Sequence, residues 1–230
     1  MTLTRYALYA VPPAPHPLWS EAALWLGRNP GSDIAGAIAL PDWLGTSRWR
    51  EITAEPRLYG FHGTLKPPFA LAAGKSVAEF DAALQRFVAD TPKLEPVPLI
   101  VSSLSGFLAL VPDHPASALL GFADRCVEAF DGFRAPPDAA ELARRRRAGL
   151  TPAQEAHLQR WGYPYVFDQF RYHMTLTGRL AAPEREQIQR WLAGHFAAAT
   201  AAPVPLELAL FEQPGQDLPF RLVGRYPFGG

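Results

Sequence analysis

The chain has 230 residues, of which 48% are hydrophobic and 19% are charged, and its formal net charge at pH 7 is zero. This composition is typical of a globular protein with a full hydrophobic core, and the balanced charge argues against a broadly basic surface for nucleic acid. With one cysteine, Cys126, the chain can form neither an intrachain disulfide nor a cysteine-based zinc site.

The N-terminal segment R-Y-A-L-Y-A-V predicts a strand, and H-P-L-W-S-E-A-A-L-W-L-G predicts the helix that follows it. The first residues lack the long apolar stretch of a signal peptide. No uninterrupted apolar run in the chain approaches the ~18 residues of a membrane span. We therefore expect a cytoplasmic protein that has no membrane partner.

The segment Y-G-F-H-G-T-L-K-P-P-F, at residues 59–69, places polar side chains at every second position of a strand-like run. Side chains alternate between the two faces of a strand, so His62, Thr64 and Lys66 should share one face. Phe61 and Leu65 should then face the opposite way. The segment predicts a strand with a polar stripe over an apolar back.

Helix and hairpin signals follow this first motif. Ser76 and Glu79 form a capping box ahead of apolar residues that are spaced for one helix face. The segments V-P-L-I-V-S-S and G-F-L-A-L-V-P then predict a β-hairpin. A further helix over about residues 119–130 carries Cys126 on its apolar stripe, so we expect this cysteine to fill space in the core.

The stretch from Gly132 to Gly162 predicts a surface helical hairpin, whose second helix starts with a capping box at Thr151 and Gln154. Its first helix contains the run Arg144–Arg147. RNA contact is one interpretation of this run, but a solvated helical face is favoured because D-A-A-E-L-A precedes it. The aromatic segment G-Y-P-Y-V-F-D-Q-F predicts a packed loop, with lining of a substrate site as the alternative.

The segment F-R-Y-H-M-T-L-T-G-R-L, at residues 170–180, repeats the frame His-x-Thr-Leu of the first motif. By strand alternation, one face should carry five polar residues. They are Arg171, His173, Thr175, Thr177 and Arg179. Thr177 is equally compatible with a structural β-branched strand residue, so its role stays open.

A helix and a hairpin also follow the second motif, and the tetrapeptide P-V-P-L precedes the hairpin both times, at Pro96 and at Pro203. The order β-α-β-β recurs easily in mixed proteins, but these shared landmarks favour an internal repeat. We predict an α+β fold in a single two-lobed domain over residues 1–230. Lobe 1 would span about 1–115 and lobe 2 about 116–230.

Together the two polar stripes supply two imidazoles, two hydroxyls and several cations, a set that suits phosphoryl chemistry. One histidine can act as a base and the other as an acid near neutral pH. Threonine can donate to phosphate oxygens, and lysine and arginine can oppose phosphate charge. We expect no metal site, because the other histidines lack the spacing of metal ligands. They are His16, His114, His157 and His195.

The segments H-G-T-L at His62 and H-M-T-L at His173 resemble the paired His-x-Thr/Ser-x signatures of the two-histidine (2H) phosphoesterase superfamily. The surrounding sequence is similar, over nearly the whole chain, to the branch of that superfamily named for phosphonate metabolism. The resemblance implies a bilobal, pseudo-twofold fold in which two antiparallel-rich sheets, flanked by helices, surround a central cleft. It also implies catalysis without a metal or other cofactor.

By this resemblance, His62 and His173 would be the catalytic acid and base, and Thr64 and Thr175 would donate to the phosphate. Three further phosphate-binding residues are predicted from strand alternation alone. They are Lys66, Arg171 and Arg179. Which histidine is the base stays open.

The function implied is metal-independent hydrolysis of a small cyclic phosphodiester. The branch points to a sugar cyclic phosphate from phosphonate catabolism, such as a phosphoribosyl 1,2-cyclic phosphate. One alternative is a 2′,3′-cyclic phosphodiesterase for RNA ends, which the neutral net charge disfavours. The other is a protein that senses a phosphorylated ligand in the same cleft without turnover. The expected partner is a small phosphorylated substrate, with nucleic acid only as RNA ends.

Overall fold

The computed structural model describes residues 3–32, 38–147 and 149–228, which form an α+β protein around one antiparallel sheet. The strands are β1 (Arg5–Val11), β2 (Gly63–Phe69), β3 (Leu99–Leu104), β4 (Phe107–Pro112), β5 (Met174–Thr175), β6 (Glu207–Gln213) and β7 (Arg221–Tyr226). The helices are α1 (Pro17–Leu26), α2 (Thr46–Ile52), α3 (Ala54–Tyr59), α4 (Val77–Ala89), α5 (Ser117–Ala129), α6 (Ala139–Arg146), α7 (Pro152–Trp161) and α8 (Ala182–His195).

The local signals of the sequence are confirmed at several helix ends. The hydroxyl of Ser76 accepts from the backbone N–H of Glu79, whose side chain accepts in return from the backbone N–H of Ser76, so α4 begins with a capping box. Thr151 and Gln154 form the same motif at the start of α7. These bonds satisfy backbone donors that have no partner within the first helical turn.

The order of the strands within the described residues is β3-β4-β5-β2-β1-β6-β7. The two motif strands, β2 and β5, are therefore neighbours in the interior of the sheet. They pair antiparallel through Gly63 and Met174. This contact joins the two sheets that we expected into one continuous seven-stranded sheet.

Each hairpin lies in the half of the sheet that contains the other motif strand, not the one that precedes it in the sequence. The hairpin β3–β4 follows the first motif, but it extends the sheet from β5 of the second motif. The hairpin β6–β7 follows the second motif, but it pairs with β1 beside β2 of the first motif. Each half of the sheet thus takes strands from both halves of the chain, and the division expected near residue 115 does not separate them.

The repeat itself is visible in pairs of equivalent positions. Gly63 and Met174, which pair across the centre of the sheet, are the second residues of the two His-x-Thr-Leu frames. Val97 and Val204 are the second residues of the two P-V-P-L segments. Each donates its backbone N–H to the other's carbonyl, at 2.9 and 2.8 Å. Reciprocal pairing of equivalent residues is the arrangement that an approximate twofold axis produces.

The core lies between the sheet and its helices. Phe80 of α4 contacts the ring of Phe69 on β2, and α5 packs against β2, while α8 packs against β3. Cys126 is fully buried on α5, as its position on the apolar stripe predicts. Within residues 3–32, 38–147 and 149–228, none of the helices combines the length and the apolar character that crossing a membrane requires.

Candidate active site

The pairing of β2 with β5 brings the two histidine motifs side by side. Its tightest point is Gly63, because a Cβ atom built there would lie 2.4 Å from the ring of Tyr172. Tyr172 is buried and is the residue immediately before His173 in the chain. The glycine of the first motif is therefore needed so that the residue next to the second histidine can pack against its backbone.

Both histidines are held by the same type of backbone contact. Nδ1 of His62 lies 2.8 Å from the carbonyl oxygen of Gly60, and Nδ1 of His173 lies 2.7 Å from that of Arg171. A carbonyl oxygen can only accept, so Nδ1 must carry the hydrogen in both rings. Nε2 of each ring is then left to accept or deliver a proton.

The two rings differ in their surroundings. His62 stacks on the buried ring of Tyr9, with 3.8 Å between centroids and 27° between planes. The pKa of His62 is lowered to about 4, mainly by burial; the hydrogen bond to Gly60 opposes this shift, and the electrostatic effect of nearby His173 contributes to it. His173 instead lies 5.6 Å from the ring of Phe107 in a tilted contact. His62 is therefore neutral at pH 7.

The two imidazoles and the two motif threonines line a single cavity of about 410 Å³. A second compartment of about 490 Å³ adjoins it and shares Thr64, Phe107, Tyr163 and His173 with it. The walls of this second compartment are rich in aromatic side chains. They include Phe107, Tyr163, Tyr165 and Phe170.

The structure places most of the predicted site residues at these cavities. His62, Thr64, His173 and Thr175 line the first compartment together, as expected from the paired motifs. Arg179 also lines it and donates to the carbonyl of Ser105. Arg171 lines the aromatic compartment instead.

The placement of Lys66 in the cleft is wrong. Leu8 pairs with Lys66 whereas Tyr9 pairs with Thr64, so Leu65 is an extra residue on β2. Such a β-bulge shifts the alternation of side chains by one residue. Lys66 consequently points away from the histidines.

On the other face of the sheet, Lys66 is only 2% exposed, and its amine donates to the carbonyl of Val127 on α5 at 2.9 Å. Asp131 lies 3.8 Å from the same amine. Burial lowers the pKa of Lys66 to about 8, and the carboxylate of Asp131 opposes that shift. Lys66 thus belongs to the packing between β2 and α5.

The second motif strand is shorter than predicted, since only Met174 and Thr175 form strand pairs. Both Leu176 and Thr177 direct their backbone N–H groups to the carbonyl of Leu108. The hydroxyl of Thr177 accepts from Leu108 N at 3.0 Å and donates to the carbonyl of Gly178 at 2.9 Å. Thr177 is 1% exposed, so its hydrogen bonds assign it a structural role.

Several residues at the first compartment were not singled out in the sequence, among them Arg5 and Tyr9. Tyr163 belongs to the aromatic segment for which lining of a substrate site was the alternative, and it lines both compartments. The solvated face predicted for the arginine run holds for Arg146, which pairs with Glu155 at 2.6 Å. It is wrong for Arg145, whose guanidinium lies 4.6 Å from the ring centroid of Tyr163. A usable signal existed for Arg5 and Tyr9, because residues four apart on a strand share a face.

The described residues contain no group of three or more His, Cys, Asp or Glu side chains that is arranged to bind a metal ion. Metal independence itself stays a prediction.

A family model described as "Protein of unknown function (DUF1045)" matches residues 64–221, a span that contains Thr64 and the whole second motif. The chain belongs to the DUF1045 family. This DUF1045 chain is 41% identical, over 248 residues, to the ribose 1,5-bisphosphate phosphokinase PhnN of Janthinobacterium sp. (strain Marseille). The alignment covers 100% of the chain and 52% of that protein.

A second relative of the DUF1045 chain is the ribose 1,5-bisphosphate phosphokinase PhnN of Laribacter hongkongensis (strain HLHK9). It is 38% identical over 226 residues, which are 95% of the chain and 50% of that protein. The chain thus spans about half the length of the curated relatives it matches. Among solved structures, E. coli LigT complexed with NADP+ aligns over 100% of both chains, with 14% identity and a TM-score of 0.42.

Proposed function

We propose that this protein hydrolyses a small cyclic phosphodiester without a metal ion. The observation that carries the proposal is the matched pair of imidazoles. Both are anchored through Nδ1 to backbone carbonyls, and both line one cavity on adjacent strands. In-line displacement at phosphorus needs a base for the incoming water and an acid for the departing oxygen. The resemblance to two-histidine phosphoesterases supports the same chemistry.

In this mechanism His62 is the base, since its low pKa keeps it neutral at pH 7. Its Nε2 takes a proton from water while the water oxygen forms a bond to phosphorus. The bond between phosphorus and one ring oxygen breaks on the opposite side, and His173 protonates the departing alkoxide. The product is a phosphate monoester with a free hydroxyl, and the hydroxyls of Thr64 and Thr175 donate to the other phosphate oxygens.

The preferred substrate is a phosphoribosyl cyclic phosphate from phosphonate catabolism. Two observations support this choice: the sequence resemblance to the phosphonate branch, and the similarity to two proteins named ribose 1,5-bisphosphate phosphokinase. The chain covers only half of those relatives, so their activity is not transferred to it. What is carried over is the expectation of a phosphorylated ribose ligand.

A second candidate is the hydrolysis of 2′,3′-cyclic phosphates on nucleotides or RNA ends. The aromatic compartment beside His173 favours it, because Tyr163, Tyr165 and Phe170 could stack on a base. A sugar cyclic phosphate leaves this compartment without an aromatic partner. The two candidates therefore differ in whether the substrate carries a base.

A panel of cyclic phosphates tests both candidates. Wild-type protein is incubated with ribose 1,2-cyclic phosphate, its 5-phosphate and a 2′,3′-cyclic nucleotide, and the products are identified by mass spectrometry. We expect hydrolysis of the 5-phosphorylated sugar, and we expect it to survive exhaustive chelation. Loss on chelation with recovery on adding one divalent metal would contradict the two-histidine mechanism. Binding of a panel member without turnover would favour the sensor.

A further inference from the structure

Three arginines from separate parts of the chain meet at the cavity that contains the two histidines. Arg5 lies at the start of β1, and Arg144 and Arg145 lie in the last turn of α6. All three line the first compartment together with His62 and His173. Arg5 and Arg144 also border an adjoining depression of about 640 Å³. We call Arg5, Arg144 and Arg145 the arginine cluster.

The contacts within the protein leave the arginine cluster with excess positive charge. Nε of Arg5 donates to the neutral side chain of Gln213 at 2.9 Å. Arg144 and Arg145 share one carboxylate, that of Glu141, at 3.3 and 3.1 Å. Arg179 and Glu55, which also line the compartment, add one charge of each sign. Three guanidiniums therefore face one carboxylate that contacts them.

Arg145 is more buried and has more contacts than the arginine of an ordinary exposed ion pair. Its side chain is 20% exposed, stacks on the ring of Tyr163, and has a buried Nε without a hydrogen-bond partner in the described part of the chain. The carboxylate of Glu141, four residues earlier on the same helix, is shared with Arg144 and so balances only one of the two guanidiniums. Nε itself is shielded from solvent, so a bound anion would contact the terminal N–H groups of this guanidinium, in a cationic cavity wall that the protein alone does not neutralise.

We propose that the arginine cluster binds a second, dianionic phosphate of the substrate. The inference rests on the proposed function, in which a cyclic diester with a single negative charge sits at His62, His173 and the two threonines. That charge does not account for three further guanidiniums. A terminal phosphate carries about two negative charges at neutral pH and accepts the bidentate hydrogen bonds that guanidinium groups offer.

The substrate class that follows is a cyclic phosphodiester on a sugar that bears a separate phosphate monoester. The first compartment, at about 410 Å³, has the size of a site for one small ligand. An oligonucleotide end would instead present backbone diesters, each with a single charge. The arginine cluster thus selects between the two candidate substrates through phosphate charge.

Binding of stable monoesters tests the arginine cluster independently of turnover. The probes are ribose 1,5-bisphosphate and ribose 1-phosphate, and their dissociation constants are measured by calorimetry. In the wild type we expect the bisphosphate to bind at least about tenfold more tightly, in line with a charge-assisted contact. The R144Q/R145Q double variant should reduce this ratio to below about threefold.

The matched control is Arg146→Gln, which removes the same charge from the same helix but leaves the cavity wall intact, since Arg146 pairs with Glu155. It should keep the wild-type ratio. If the double variant does not fold, Arg144→Gln alone replaces it, because its side chain is 44% exposed. A wild-type ratio near one, a ratio that survives in the cluster variants, or an equal loss in Arg146→Gln overturns the proposal.

The same experiment separates the arginine cluster from the proposed chemistry. His62→Ala and His173→Ala should abolish hydrolysis but keep the preference for the bisphosphate. A wild type that hydrolyses no cyclic phosphate, yet shows a preference that depends on Arg144 and Arg145, refutes the proposed function and supports the phosphate subsite. Hydrolysis without any preference refutes the subsite alone.

Discussion

His62 and His173 are held in the same way, each through Nδ1 to the carbonyl of the residue two positions earlier. Their surroundings differ. His62 lies against the buried ring of Tyr9, and burial lowers its pKa to about 4. His173 lies near Phe107, and Arg171, two residues before it in the chain, is exposed.

The comparison shows how a repeat can place two identical side chains in different surroundings. An approximate twofold axis supplies equivalent geometry, and an acid–base pair needs unequal proton affinities. Here burial beside the ring of Tyr9 lowers the pKa of His62, which keeps this imidazole neutral. Different surroundings of the two repeated motifs thus lower the pKa of His62 without any change in the motif itself.

The largest expected effect is the loss of either imidazole. His62→Ala and His173→Ala should each reduce kcat/KM by about 100-fold or more, since each removes one partner of a general acid–base pair. His114→Ala is the control, because His114 is exposed and outside the cavity lining. Steady-state kinetics on the cyclic sugar phosphate measures the effect. Near-normal turnover in both folded variants would refute the catalytic assignment.

The burial of His62 predicts an unusual pH profile. A base must be neutral, so kcat/KM should fall as the pH is lowered through about 4, the pKa of His62 in the folded protein. Tyr9→Leu removes the stacked ring and admits water, so this pKa should rise toward the ordinary value of about 6.5 and reduce activity at pH 5 by about tenfold.

Tyr9→Phe is the matched control for that change, since it keeps the ring over His62 and removes only the hydroxyl. Its pH profile should follow the wild type on the acidic side. If Tyr9→Leu and Tyr9→Phe give the same acidic midpoint, the ring of Tyr9 is not the cause of the low pKa.

The motif threonines should have a smaller effect than the histidines. Thr64→Val and Thr175→Val each remove one donor to the phosphate, and we expect kcat/KM to fall by about tenfold in each. Thr177→Val is the contrast, because the hydroxyl of Thr177 bonds Leu108 N and the carbonyl of Gly178. It should lower the melting temperature more than the activity. An equal loss of activity in all three variants would argue against phosphate contacts by Thr64 and Thr175.

The smallest expected effect is that of Lys66. Lys66→Met keeps the length of the side chain on the helix-facing side of β2, so kcat/KM should stay within about twofold of the wild type. Thermal unfolding checks whether the fold tolerates the loss of the bond to Val127. A tenfold loss of activity with an unchanged melting temperature would instead indicate that the amine of Lys66 acts at the substrate site.

The sequence predicts that the motif residues lie together because their signal is local and duplicated. Alternation along a strand correctly groups His62 with Thr64, but it fails at Lys66, since an extra residue in one strand is defined only by its partner. The same limit applies to β5, where Leu176 and Thr177 share one carbonyl and end the regular ladder.

The solvated face predicted for the run Arg144–Arg147 is wrong for Arg145 for a different reason. Helix α6 carries no buried residue, so its sequence lacks an apolar stripe that would orient it. Which of its arginines faces the cavity depends on tertiary contacts, such as that of Arg145 with Tyr163, which follows the next helix. The sequence also does not predict which motif strand each hairpin lies beside. The alternation of apolar and polar residues in a hairpin is compatible with pairing to either half of the sheet.

The pairing of β4 with the distant strand β5 has a consequence for folding during synthesis. The hairpin β3–β4 ends at Pro112, whereas β5, its neighbour in the sheet, begins at Met174, roughly 60 residues later. Chains emerge from the ribosome N-terminus first, so the edge of β4 is made long before the strand that covers it. Unpaired strand edges are templates for association with other chains. A nascent chain stalled between these two strands therefore exposes an aggregation-prone edge instead of a stable half-protein.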